Sequence, residues 1–206
     1  MHLMISGGGE AAEAEAVRSM FEARKRVFVD LLQWDVPVLA GRYELDQFDD
    51  PNALYLILTD SAGGHLASAR LLDTELPHLL DSIFPELCAD EVPRGPAIRE
   101  ITRFCLDPSK PAAERRTLRD TLIVGLADYA LHAGIDSYSC VAEHGWLRQI
   151  LLFGWRCTRL DGAGQSNASE LGALQIFIDP DTPARLIAGG LSPIIRLADQ
   201  QRRNAA

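Results

Sequence analysis

Long apolar runs are missing from this chain. No stretch of 18 or more hydrophobic residues occurs in its 206 residues, which excludes a membrane-spanning helix of ordinary length. The first fifteen residues carry glycines and glutamates where an export signal would carry a basic and then an apolar segment, so the expectation is a cytoplasmic protein. Basic residues are scarce, 20 against 29 acidic ones, for a net charge of -9. Phosphate backbones need a positive field, so nucleic acid is not expected as a partner. Cysteine is sparse as well. Cys88, Cys105, Cys140 and Cys157 form no Cys-x2-Cys pair, and His2, His65, His78, His132 and His144 show no ligand spacing. Reduced, mostly buried thiols and no metal are the expectation. There is also no internal repeat, low-complexity tract or composition break, so residues 1–206 read as one domain. A hydrophobic content of 47% allows that domain a sizeable core.

What is present divides unevenly. Residues 1–93 hold 6 basic and 17 acidic side chains, whereas residues 94–206 hold 14 and 12. Lys110, Arg115, Arg116 and Arg119 cluster within the second part. They form either a docking face for an acidic partner or a solvated helix face. Apolar spacing predicts an amphipathic helix over 10–30 and a long ordered loop over 31–51. Strands follow at 53–59 and 66–72, joined by the turn residues Ser61-Ala62-Gly63-Gly64. One or two short helices are expected within 77–87, a strand at 98–106, and a long helix at 113–133 ended by Gly134. A strand at 137–141, a helix at 145–152, strands at 155–160 and 175–178, and short helical pieces complete the reading. Strands from a hairpin, then strands alternating with helices, give an α/β chain with a mixed sheet flanked by helices.

Several polar and aromatic residues sit at spacings that folding alone does not require. Arg24-x3-Phe28-x5-Trp34 leads into Tyr43-Glu44-Leu45-Asp46-Gln47-Phe48-Asp49-Asp50. Ser68-Ala69-Arg70-Leu71-Leu72 follows, and then Arg99-Glu100-Ile101-Thr102-Arg103-Phe104. Arg24 and Phe28 share a helix face, and a buried guanidinium there needs a partner such as Asp46 or Asp49. That pairing is either a structural ion pair or one wall of a charged pocket. Glu100 and Arg103 lie three apart on a strand, so they share a side only if the strand bulges or ends between them. Apolar neighbours would push the Glu100 carboxyl up and suit it to act as a base; its other reading is a partner for Arg70 or Arg103.

In that order and spacing, over about residues 20–160, the set resembles the acyl-homoserine-lactone synthases, the LuxI-type autoinducer synthases of quorum sensing. The resemblance implies a fold like that of the Gcn5-type N-acetyltransferases. It implies transfer of an acyl chain from an acyl carrier protein, less often coenzyme A, to the amine of S-adenosylmethionine, followed by lactone closure with release of methylthioadenosine. S-adenosylmethionine is then a substrate, and no cofactor is expected. Glu100 would be the base, with Arg24, Phe28, Trp34, Asp46, Asp49 and Arg103 binding S-adenosylmethionine. Arg70 would support the site, Phe84 and Cys140 would line the acyl pocket, and Lys110, Arg115, Arg116 and Arg119 would dock the donor. The sequence departs from the pattern at Asp73 (proline is usual), at Thr102 (serine is usual) and at Cys140. The last falls where a threonine hydroxyl accompanies a 3-oxo preference, so an unsubstituted or otherwise modified chain is expected. Two alternatives are an ordinary acetyl-coenzyme-A N-acetyltransferase and a non-catalytic ligand-binding module. Residues 107–119 contain no glycine, which disfavours the phosphate cradle of the former.

Overall fold

Leu54–Thr59 and His65–Asp73 are rich in leucine and isoleucine, and a tight turn separates them. They pair as the antiparallel hairpin β4–β5, with Leu56 opposite Ala69 and Tyr55 opposite Arg70. Asp60 closes the turn, its Oδ1 accepting the amides of Ala62 and Gly64 at 2.8 Å each. In this computed structural model, residues 1–6, 11–161 and 170–195 are described. Cα packing divides the chain into two units. One comprises Met1–Leu71, Arg103–Leu126 and the chain from Ser192; the other comprises Leu72–Thr102 and Ala127–Leu191.

In the first unit, β1 (His2–Ser6) lies antiparallel on the far side of β4, with Ser6 opposite Tyr55. The sequence reading missed this strand, because its five residues sit directly before a glycine and glutamate stretch. Helix α1 (Ala11–Arg24) buries Ala16, Met20 and Ala23 at helical spacing. The expected helix over 10–30 does continue, but from Lys25 to Leu31 it winds as a π-helix. There Leu32 N donates to Val27 O, five residues back, at 2.9 Å. The long loop that follows is ordered by a two-residue hairpin, β2 (Val38–Leu39) with β3 (Tyr43–Glu44). Ala40 and Gly41 are both left-handed, at φ 53° and 66°, as a hairpin turn of this kind requires. It delivers Glu44 to the interior.

Strand β6 (Ile98–Leu106) begins in the second unit, where it pairs in parallel with β7 (Ser137–Glu143) over Ile98–Ile101. The connection runs through α3 (Ala112–Ala133), the crossover that a parallel pair needs, and Gly134 ends it at φ 70°. Strand β9 (Leu171–Phe177) is antiparallel to β7, and β8 (Arg156–Arg159) is antiparallel to β9. β9 is longer than the 175–178 expected. Helices α2 (Leu79–Ser82), α4 (His144–Leu152) and α5 (Thr182–Ala188) complete the unit, with a 3-10 turn at Pro85–Leu87. Parallel and antiparallel pairs thus coexist in a mixed α/β fold. Among the described residues, no helix is long and apolar enough to cross a membrane.

One buried group in the first unit predicts how stability follows pH. His65 is 4% exposed, its Nε2 lies 2.9 Å from Ser68 Oγ, and its Nδ1 has no hydrogen-bond partner among the described residues. Burial pushes its pKa down to about 4, with Asp107 opposing and Arg26 adding to the shift. The unfolded imidazole takes its proton near pH 6.5, so stability from the neutral ring is full above 6.5 and is lost as pH falls through 4. The linkage amounts to on the order of 3 kcal/mol across that window. Urea unfolding at pH 7 and pH 4.5 should show the wild type losing more stability than His65→Gln; parallel losses would remove His65 from the account.

Candidate functional site

Three buried arginines and three carboxylates of the first unit form a closed ring. Arg24, at the end of α1, donates from Nε to Glu44 at 2.5 Å and forks onto both oxygens of Asp49 at 2.7 and 2.8 Å. Arg103 on β6 donates to the other Glu44 oxygen at 2.9 and 3.0 Å and to Asp46 at 2.6 Å. Arg70 on β5 grips Asp46 at 2.6 and 3.1 Å, and its Nη1 lies 2.8 Å from Asp49. Every charge therefore touches two of opposite sign, and the ring is neutral. Local structure places the acids. Asp46 N donates to Asp49 Oδ2 and Phe48 N to Asp46 Oδ1, both at 2.9 Å, so the turn 46–49 points both carboxylates one way. Tyr55, the register partner of Arg70, adds its hydroxyl to Asp49 at 2.9 Å.

The ring is almost sealed. The side chains of Arg24, Arg70, Glu44 and Asp49 are at most 1% exposed, whereas Asp46 reaches 7% and Arg103 8%. Burial alone would raise the Asp49 carboxyl, but Arg24, Arg70 and the Asp46 amide hold it well below the usual carboxylate range. The Arg103 edge is flanked by aromatic rings. Trp34 stacks on Phe28 at 4.8 Å and 16°, and the Arg103 guanidinium carbon lies 5.5 Å from the Phe28 centroid and 5.9 Å from that of Trp34. The wide π-turn makes this possible, because Trp34 N reaches Phe28 O at 2.8 Å. Gln33, left-handed at φ 57°, seals the helix end by donating from Nε2 to the carbonyls of Val29 and Asp30.

Strand β6 has an irregular step at Arg103, the kind of break that the spacing of Glu100 and Arg103 would need for the two to share a side. Arg103 has φ 49°, a left-handed residue within an extended strand. In the second unit, Glu100 is fully buried. Its Oε2 accepts from Leu79 N at 2.8 Å and its Oε1 from Leu80 N at 3.0 Å, the first two amides of α2. The surroundings differ from the apolar ones expected: backbone donors meet both oxygens.

The pattern that describes the autoinducer synthases matches residues 10–185. An acyl-homoserine-lactone synthase of Ralstonia nicotianae is 36% identical over 153 residues, covering 73% of this chain and 70% of that protein. The chain belongs to the autoinducer synthase family. Its fold matches the solved structure of MesI, a CoA-dependent acyl-homoserine lactone synthase, with a TM-score of 0.81, 26% identity and coverage of 95% of this chain and 99% of that one. BjaI, a CoA-dependent synthase solved with SAM and isopentyl-CoA, shares the fold at a TM-score of 0.80 and 23% identity over all of both chains. A more distant likeness in fold alone extends to an N-acetyltransferase from Lactobacillus plantarum, with a TM-score of 0.57, 14% identity and coverage of 86% and 98%.

The remaining candidates of this synthase-family chain fall in different places. Phe84 packs with Leu80, Leu87 and Ala173, together with Val141. Cys140 is buried on the neighbouring position of β7, whose side chain points to the opposite face, and burial pushes its thiol up to about 12. The basic cluster is mostly engaged at home: Lys110 with Glu114, Arg119 with Asp120, and Arg115 with the carbonyls of Pro108 and Lys110. Arg116 is exposed. Among the described residues, no group of three or more histidines, cysteines, aspartates or glutamates gathers as a metal ion would need. Sequence reasoning missed Glu44 and Tyr55. Charge balance could have found Glu44, since three buried arginines cannot be neutralised by Asp46 and Asp49 alone.

Arg24→Met should cost about 3–5 kcal/mol in urea unfolding, because it leaves Glu44 and Asp49 short of counter-charge in a buried place. Trp34→Ala, at a side chain 38% exposed, should cost no more than about 1.5 kcal/mol, the value of an aromatic pair. Similar losses in both would show that the ring is no more critical than its rim.

Proposed function

We propose that this chain joins an acyl thioester to the amine of S-adenosylmethionine and then closes the lactone. The amine attacks the thioester carbonyl carbon; a C–N bond forms, the C–S bond breaks, and the thiol leaves with one proton. An amine that arrives as ammonium must shed a second proton, and Glu100 is the group that takes it. The carboxylate oxygen of the acylated intermediate then attacks the carbon next to the sulfonium. A C–O bond forms, the C–S bond breaks, and its electron pair neutralises sulfur in methylthioadenosine. Neither step needs an enzyme nucleophile; both gain from holding the reacting atoms close. No cofactor enters this scheme, and its setting is the cytoplasm.

The observation that carries this reading is the neutral ring with only two open edges. A ligand with an ammonium, a sulfonium and a carboxylate finds a carboxylate in Asp46, a guanidinium in Arg103 and aromatic faces in Trp34 and Phe28. A neutral metabolite would have no use for that combination. For the donor, Lys110 and Arg119 are each paired with a neighbouring acid, which leaves less positive charge for the broad face of an acidic carrier protein than for the smaller coenzyme A ester.

Glu100→Gln should lower lactone formation by ~100-fold or more, as expected for loss of an acid–base group. Calorimetry should find its S-adenosylmethionine affinity nearly unchanged. Asp46→Asn should instead weaken that affinity by about 0.5–2 kcal/mol. Near wild-type turnover by Glu100→Gln would make Glu100 a holder of α2 and nothing more. For the donor, lactone formation from acyl-coenzyme A should exceed that from acyl carrier protein, and Arg116→Glu with Lys110→Glu should leave the coenzyme A rate within about twofold, since exposed charges are screened within ~8–10 Å. A strong preference for carrier protein, lost in that double variant and in high salt, would reverse the assignment.

A further inference from the structure

A polar row crosses the second unit's sheet at the level of Glu100. Glu100 on β6 is in register with Ser139 on β7, Ser139 with Gln175 on β9, and Gln175 with Thr158 on β8. Register partners project to the same face about 5 Å apart, so the four side chains stand side by side. Exposure rises along the row: Glu100 and Ser139 are fully buried, Gln175 is half-buried, and Thr158 is exposed on β8, whose described pairing is to β9. Gln175 Nε2 donates to Ser137 Oγ at 3.0 Å. Among the described residues, the Ser139 hydroxyl has no hydrogen-bond partner.

A buried hydroxyl without a partner works against folding. Nothing in the packing requires it; alanine would fill the same space. A hydroxyl can give one hydrogen bond and take two, which suits a group that stands between a proton source and a carboxylate. The acyl transfer releases one proton more than the departing thiol carries away. That proton starts at Glu100, whose oxygens face inward on the amides of Leu79 and Leu80.

We propose that Ser139 is a positioning residue for the acyl transfer: its hydroxyl orients the proton carrier, an amine or a water, that Glu100 deprotonates, and it begins the polar row by which the proton leaves. This rests on Glu100 being the base. In the step itself, an N–H bond of the substrate breaks and an O–H bond forms on Glu100, directly or through one water; the Ser139 O–H is not consumed. The proton then passes outward along the Gln175 and Thr158 side of the row, and Glu100 returns to its ionised form.

Lactone formation is to be followed with S-adenosylmethionine and straight-chain acyl-coenzyme A esters from butanoyl to dodecanoyl, carrying forward the best wild-type donor. Ser139→Ala should lower kcat on the order of tenfold, less than the ~100-fold that loss of an acid–base group costs. The KM for S-adenosylmethionine should stay within about twofold and the melting temperature should not fall, since no hydrogen bond is lost. Ser139→Thr, which keeps the hydroxyl, should recover most of kcat. Wild-type kcat in Ser139→Ala overturns the inference, and so does a loss that tracks a lowered melting temperature and is not recovered by threonine. Glu100→Gln separates the two levels. If it is inactive while Ser139→Ala is fully active, only the role of Ser139 fails; if it turns over normally, the base itself is misassigned.

Discussion

Charge neutrality in a buried place is the constraint on which the first unit depends. Three guanidiniums and three carboxylates come from five separate stretches: the end of α1, β3, the 46–49 turn, β5 and β6. An isolated ion in a dry interior costs several kcal/mol, and a closed ring removes that cost only when all six members are present. The ring is therefore a test of assembly. A helix end, a hairpin tip and two strands must each deliver a charge to within 3.1 Å of its neighbours, or the others are left uncompensated. What remains on the outside is narrow, the edges of Asp46 and Arg103, and their orientation is inherited from the sealed members behind them.

Strain gathers around the same place. Gln33, Ala40 and Arg103 are the non-glycine residues with left-handed backbone among those described, and all three belong to the first unit. Such positions cost about 1–3 kcal/mol each and persist where surrounding contacts hold them. At Gln33 the holding contact is its own amide on the helix carbonyls; at Arg103 it is two carboxylates. The π-turn from Lys25 belongs to the same set, since it brings the Trp34 amide onto the Phe28 carbonyl and so sets the stacked pair beside Arg103. The chain passes from one unit to the other between Thr102 and Arg103, at this left-handed residue, so the irregular step in β6 coincides with a boundary in packing.

Much of this was legible in the residues, for identifiable reasons. Strands β4, β5 and β6 and helix α3 declare themselves by period and by their turn residues, whereas the three-residue spacing of Glu100 and Arg103 only raised the question of a bulge, and the left-handed backbone at Arg103 became visible in the structure. The π-turn was not legible, because 3.6- and wider-period helices bury nearly the same residues over seven positions. Glu44 was hidden by its neighbours: in a run of four acids only the structure says which ones turn inward. Cys140 and Phe84 were grouped by resemblance, whereas the alternation of β7 sets Cys140 on the face opposite Val141, which packs against the same cluster as Phe84. The pairing of the basic cluster was not legible for a plainer reason, since a basic run in sequence says nothing about carbonyls within reach.

The buried carboxylates of this protein divide by what holds them. Asp49 takes Arg24 on both oxygens, Arg70, the Tyr55 hydroxyl and the Asp46 amide; it is locked as an anion and has no room to accept a proton. Glu44 and Asp46 are each shared between two arginines. Glu100 accepts hydrogen bonds from the amides of Leu79 and Leu80, peptide donors that orient a carboxylate. A general base has to be anionic at rest and free to become neutral, and a carboxylate clamped by guanidiniums is the first without being the second.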